Sequence, residues 1–181
     1  KHHVMKSPRS AMVHDFVVSQ KHLIFLFSPI ALNMDLLHSG RSMVNSMEWK
    51  GNESTKVLIV EKADFTKSRI LEIPALMLFH FGNAWEENNV IRLDFVKSED
   101  LRNFNTWMPK IMRGEDVTSE PSTPAFLTID LNRNKISMTE RSETLEFPRV
   151  DPRVVGQRNQ FLYYPVAVNK ADNNTLNGVM R

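Results

Sequence analysis

Short apolar runs, rich in β-branched and aromatic residues, recur along the chain, some of them separated by no more than a tight turn. They fall at 12–19, 23–27, 56–61, 75–81, 90–96, 126–131, 135–139 and 161–168. Asn88-Asn89 and Asn132-Arg133-Asn134 are hairpin-sized, asparagine-rich breaks between such runs, and Gln20-Lys21-His22 reads as a third. Strands this short and this regularly spaced predict an all-β sandwich, barrel or propeller. One stretch departs from the pattern. Ser98-Glu99-Asp100 opens like a capped, acidic first turn, and Leu101, Phe104, Met108 and Ile111 then recur at helical spacing. Pro109 falls inside that spacing and predicts a short helix ending in a loop, with a polar surface loop over 114–124.

Composition narrows the function classes. Of 181 residues 41% are hydrophobic, enough for a sizeable core in a single domain or part of one. With 23 basic and 21 acidic residues, scattered along the chain, there is no electrostatic footprint for nucleic acid or a polybasic membrane anchor. The absence of cysteine excludes disulfides, thiolate metal sites and cysteine nucleophiles, and fits a reducing compartment, so a cytoplasmic location is expected. No apolar run is long enough for a transmembrane helix. The six glycines are dispersed, and no glycine-rich phosphate loop or nucleophile elbow occurs. The chain opens on Lys1 and closes on the apolar run 175–181, so 1–181 is expected to be one partial domain, an internal piece of a longer protein with disorder at 1–10 and 171–181.

The remaining candidates for chemistry are histidines, carboxylates and hydroxyls. Of six histidines, His14 (in Met12-Val13-His14-Asp15-Phe16) and His80 (in Phe79-His80-Phe81) sit among apolar strand residues, where an imidazole needs a polar partner. Metal ligation is one such partner. A buried histidine is more often a hydrogen-bonded core residue, and the wide spacing of this pair carries no zinc signature. His2, His3 and His22 read as solvated and His38 as a loop residue. Glu146 could orient a histidine by accepting its free N–H, or pair with Arg149 or Arg153. Asp15, Glu86 and Glu87 read as salt-bridge or strand-end residues.

Three motifs in order change that balance. Met12-Val13-His14-Asp15-Phe16, Phe79-His80-Phe81-Gly82-Asn83-Ala84-Trp85-Glu86-Glu87 and Glu146-Phe147-Pro148-Arg149-Val150-Asp151-Pro152-Arg153-Val154-Val155-Gly156 resemble the signatures of the carotenoid cleavage oxygenases, a family that includes lignostilbene dioxygenases and retinal pigment epithelium isomerases. Leu176-Asn177-Gly178-Val179-Met180 resembles the strand that follows, so the resemblance covers the whole chain. It implies part of a seven-bladed β-propeller with a short helical insertion, carrying ferrous iron on four histidines. On this match His14 and His80 are two of the ligands, Glu146 is a glutamate that hydrogen-bonds a ligand from outside, and the other two histidines lie beyond this chain. The implied reaction is oxidative cleavage of a conjugated carbon–carbon double bond in an apolar polyene or stilbenoid by O2. Phe79 and Phe81 are then expected to wall a substrate tunnel, and the apolar segment from Phe27 to Leu37 to touch a membrane near its entrance. Isomerohydrolase chemistry, or a non-catalytic propeller scaffold, is the alternative.

Overall fold

The computed structural model describes residues 3–9, 12–115, 122–168 and 176–181. Its first sheet is antiparallel and four-stranded: β1 (Val17–Val18), β2 (His22–Phe27), β5 (Thr55–Glu61) and β6 (Ser68–Ile73), hydrogen-bonded in that order. The second is also antiparallel and four-stranded: β7 (Met77–Glu87), β8 (Val90–Ser98), β9 (Thr123–Asp130) and β10 (Lys135–Glu140), each paired with the next. Two short pairs complete the ladders: β3 (Ile30–Leu32) with β4 (Met47–Trp49), and β11 (Tyr164–Val166) with β12 (Gly178–Met180).

The turns form where the sequence supplies the right backbone. Asn88 and Asn89 both adopt positive φ (52° and 59°), which a two-residue hairpin between right-twisted strands requires and asparagine tolerates better than other non-glycine residues. In the β9–β10 turn, the Asp130 carboxylate accepts the N–H groups of Asn132 and Arg133, and Asn134 takes φ 50°.

Alternation along the strands builds the core. Ile24 and Leu26 of β2 and Val57 and Ile59 of β5 are buried in one cluster with Phe81, Ala84, Ile91, Leu93, Phe95, Leu127 and Ile129 of the second sheet. Burying each of the larger side chains is worth roughly 1.5–3 kcal/mol, so this interface dominates the stability of the pair of sheets. β6 and β10 are the outer strands, and both alternate exposed with half-buried residues over most of their length.

Three segments differ from expectation. β1 is two residues long rather than eight, and residues 12–16 are extended chain without ladder bonds. The segment from Phe27 to Leu37 is not a free loop: Phe27 and Ile30 are buried, β3 pairs with β4, and α1 (Met34–His38) follows, its Asn33 side chain capping Leu36 N–H at 3.1 Å. Pro109 does not end the helix over 103–112. A π-helical turn (Asn103–Trp107) runs directly into α2 (Met108–Met112), and Pro109 lies just after their junction rather than at the end of the helix. Part of the loop expected at 114–124, and residues 1, 2, 10 and 171–175 of the ends expected to be disordered, lie outside the described residues; 178–180 form β12. No helix among the described residues is long and apolar enough to cross a membrane.

Candidate metal centre

β7 is the longest strand, and it is irregular at two points. Between the pairs Leu78↔Lys97 and Phe81↔Phe95 it advances by three residues while β8 advances by two, and it does so again between Phe81↔Phe95 and Ala84↔Leu93. Each is a bulge, which breaks strict alternation and re-aims side chains. The first contains Phe79 and His80, and the second contains Gly82 and Asn83. As a result His80 stays half-buried and Phe79 packs against a smaller cluster around Met77 and Leu101, while Phe81 enters the main core against Phe95 (ring centroids 6.0 Å apart). Phe81 is buried in the core and does not line the cleft beside His80.

His14 reaches the same place from the extended segment before β1. Its Nδ1 lies 3.1 Å from the backbone oxygen of Phe79, and its ring stands edge-on to His80 with centroids 5.4 Å apart. The Asp15 carboxylate holds the approach, accepting Phe16 N–H at 2.8 Å and Phe81 N–H at 3.2 Å. On the other side, His80 Nδ1 lies 2.9 Å from Glu146 Oε2, which also accepts Phe147 N–H at 3.0 Å. The turn that brings Glu146 there is strained: Phe147 has φ 50°, a conformation that costs a bulky residue about 1–3 kcal/mol and persists only when its surroundings impose it.

These bonds fix the tautomers. A carbonyl or carboxylate can only accept, so the neutral imidazole of His14 and that of His80 each carry their proton on Nδ1 and keep the lone pair on Nε2. Two such neutral nitrogens, each held by a hydrogen bond behind the ring, form a donor set suited to a divalent transition metal. Among the described residues no group of three or more histidine and acidic side chains could hold a metal ion.

An apolar cleft of about 240 Å³ opens beside His80. Phe79, Phe104, Trp107, Met108, Ile111 and Phe147 wall it, with Ser98, Asn103 and Ser122 joined by hydrogen bonds at its polar side. The Phe79 and Phe104 rings are 5.0 Å apart and Phe147 lies 4.7 Å from the His80 ring.

His22 is not solvated. It begins β2, is 8% exposed, and places Nδ1 2.9 Å from Glu86 Oε2. The other oxygen of Glu86 accepts Ser19 Oγ at 2.8 Å and the Lys21 N–H, and Glu86 N–H donates to Gln20 Oε1. Glu86 thus ties the β1–β2 turn to the far end of β7. A second buried carboxyl, Asp94 on β8, accepts Asn83 N–H at 3.1 Å, and Tyr164 OH lies 3.5 Å from its other oxygen. Burial pushes its pKa up to about 7, against the opposing pull of those two bonds. Gly82 is the residue that admits it: a Cβ there would lie 1.8 Å from Asp94 Oδ2. Glu86 is the salt-bridging strand-end residue expected from sequence, whereas Asn83, although it stands in the second signature, and Asp94 carry no such expectation.

The sequence profile of the retinal pigment epithelial membrane protein family matches residues 1–181. The chain belongs to this family. Among relatives of this carotenoid-oxygenase family, the apocarotenoid-15,15'-oxygenase of Synechocystis is 25% identical over 182 residues, 96% of this chain and 36% of that protein. A carotenoid 9,10(9',10')-cleavage dioxygenase of Phaseolus vulgaris is 23% identical over 84% of this chain and 28% of its own length. An isoeugenol monooxygenase of Pseudomonas putida is 31% identical over 97 residues, 53% of this chain and 20% of its own. The chain thus spans about a third or less of the length of these curated relatives. A crystal structure of cobalt-substituted Synechocystis ACO superposes on 88% of this chain and 33% of its own with a TM-score of 0.75 at 23% identity, a likeness of fold.

Proposed function

We propose that the full-length protein is a non-haem iron(II) dioxygenase that cleaves a conjugated carbon–carbon double bond of a carotenoid, apocarotenoid or stilbenoid to two carbonyl products. The observation that carries this reading is the pair of imidazoles, centroids 5.4 Å apart, each with Nδ1 committed to an acceptor, with an apolar cleft opening beside His80. Family membership and the oxygenase names of the relatives support it. In this reading the two four-stranded sheets are blades of a seven-bladed propeller, 1–181 is an internal part of that single domain, and two further histidines outside it complete the ligand set.

His14 and His80 would hold the iron through Nε2. Bound there, ferrous iron supplies the oxygen chemistry that no side chain in the cleft can perform. The remaining work belongs to the protein. Glu146 and the Phe79 carbonyl keep both rings in the tautomer and orientation that present Nε2. Phe79, Phe104, Trp107 and Phe147 offer an apolar polyene or aryl-alkene a dry surface and orient the scissile bond beside His80. Imidazole and carboxylate bring no redox chemistry of their own, so their task is to position.

The test uses full-length protein loaded with iron(II), given an apocarotenal, a carotenoid and a hydroxystilbene under isotopically labelled dioxygen. Labelled carbonyl fragments from at least one substrate are expected. Geometric isomerisation without cleavage would favour the isomerohydrolase alternative, and no reaction with any polyene would favour a scaffold.

A further inference from the structure

Residues 145–166 form an irregular antiparallel ribbon. Leu145 bridges to Val166 and Arg149 to Tyr163, with Glu146 N–H donating to Pro165 O at 3.2 Å. Glu146 lies at the base of this ribbon, and its far end is the turn around Pro152–Val154 and Gly156 (φ +77°). Outside the ribbon, the described hydrogen bonds of that far end are made with one side chain. Asn83, 1% exposed, donates through Nδ2 to Gln157 O at 2.9 Å, Asn159 Oδ1 at 2.8 Å and Val154 O at 3.4 Å, and accepts Gly156 N–H at 2.9 Å. The arrangement uses both donors and the acceptor of the amide at once, a pattern that no other side chain of that size offers. The Arg158 guanidinium over the Trp85 ring, 5.3 Å from its centroid, ties the same turn to the same strand.

The second bulge of β7 explains why Asn83 can do this. It turns the side chain inward, with its own N–H held by Asp94, only three residues from His80, which faces the opposite way. One strand therefore carries both the histidine and the clamp on the segment that delivers Glu146 to it. The positive φ of Phe147 supplies the need for such a clamp, since a bulky residue stays in that conformation only under external constraint.

We propose that Asn83 is a positioning residue: by pinning the turn of the 145–166 ribbon to β7 it holds the Glu146 carboxylate on His80 Nδ1. The proposal rests on the reading of His80 as a metal ligand. It assigns Asn83 an effect on the metal that travels through Glu146 and through no contact of its own.

The experiment is a double-variant cycle in full-length protein loaded with cobalt(II): Asn83→Ala, Glu146→Gln and both together, read by chelator competition and by the visible d–d spectrum. Asn83→Ala is expected to weaken cobalt binding about tenfold, in the range typical for loss of a ligand's supporting partner, and to shift the d–d bands. In the Glu146→Gln background it is expected to add little, because both changes release the same ring. If Asn83→Ala does not fold, Asn159→Ala takes its place. It removes one acceptor from the clamp and is expected to shift the same bands by less. Wild-type affinity and spectrum in the folded variant, or losses that simply add in the double variant, would overturn the proposal. Wild-type protein that takes up no cobalt would overturn the metal reading beneath it.

Discussion

His14 and His80 each commit Nδ1 to an acceptor behind the ring, yet they are held by different means. His80 stands within an eleven-residue strand, and its Nδ1 partner is a side chain, Glu146, delivered by a distant ribbon through a strained turn. His14 stands on extended chain without ladder bonds, and its partner is a backbone oxygen of β7 itself. The histidine on the strand thus depends on a side chain from a distant segment, and the histidine outside the ladders on the backbone of that same strand. Substitutions at a distance should therefore reach the metal mainly through His80. The His14 side should respond mainly to changes in its own short approach, where Asp15 is the principal anchor.

The largest effect removes either arm outright. His14→Ala or His80→Ala in full-length protein is expected to reduce turnover below detection, and measurable activity in one alone would mean the two are not equivalent ligands. Next, Glu146→Gln is expected to lower metal affinity or turnover by roughly 10–100-fold with the fold retained. Wild-type turnover there would remove the contrast between the arms. Asp15→Ala leaves Phe81 N–H and Phe16 N–H without their acceptor, two bonds each worth roughly 1 kcal/mol net, and only the part of that loss that displaces His14 is expected to weaken metal binding. An effect larger than that of Glu146→Gln would reverse the assigned order.

A smaller effect concerns stability. The folded pKa of Asp94, about 7, lies above its ordinary value because the carboxyl is buried. The folded state therefore keeps a proton that the unfolded chain gives up near pH 4, and this contribution to stability is lost as pH rises towards 7. Asp94→Asn should flatten that dependence, unfolding several degrees higher than wild type at pH 8 and at nearly the same temperature below pH 4. Equal pH profiles would show that Asp94 titrates normally. The smallest effect is expected at the surface: Leu32 and Met34 are the large apolar side chains exposed between Phe27 and Leu37, and Leu32→Asp should reduce flotation with liposomes only if that segment touches a membrane.

Much of this was readable from residue patterns, for local reasons. The β7–β8 and β9–β10 hairpins were legible because asparagine-rich breaks separate alternating runs, and His14, His80 and Glu146 because they stand in signatures. What escaped was tertiary. His22 reads as a turn residue until Glu86 arrives from β7 to bury it. Phe81 reads as a neighbour of Phe79 on one face until a bulge shifts the alternation, which a period-two reading cannot detect. β6 was missed because an outer strand keeps half its face polar, and α1 because five residues carry too little periodicity, although Asn33 marks its start. Asn83 and Asp94 carry no local signal of their roles: their partners lie up to 76 residues away.

The account turns on one claim, that His14 and His80 together hold a single metal through Nε2. Elemental analysis of full-length protein purified without added chelator, beside the two alanine variants, tests it most directly. Stoichiometric iron in the wild type and its loss from both variants is the predicted result. Iron retained in full by either variant, or absent from a folded wild type, would contradict it.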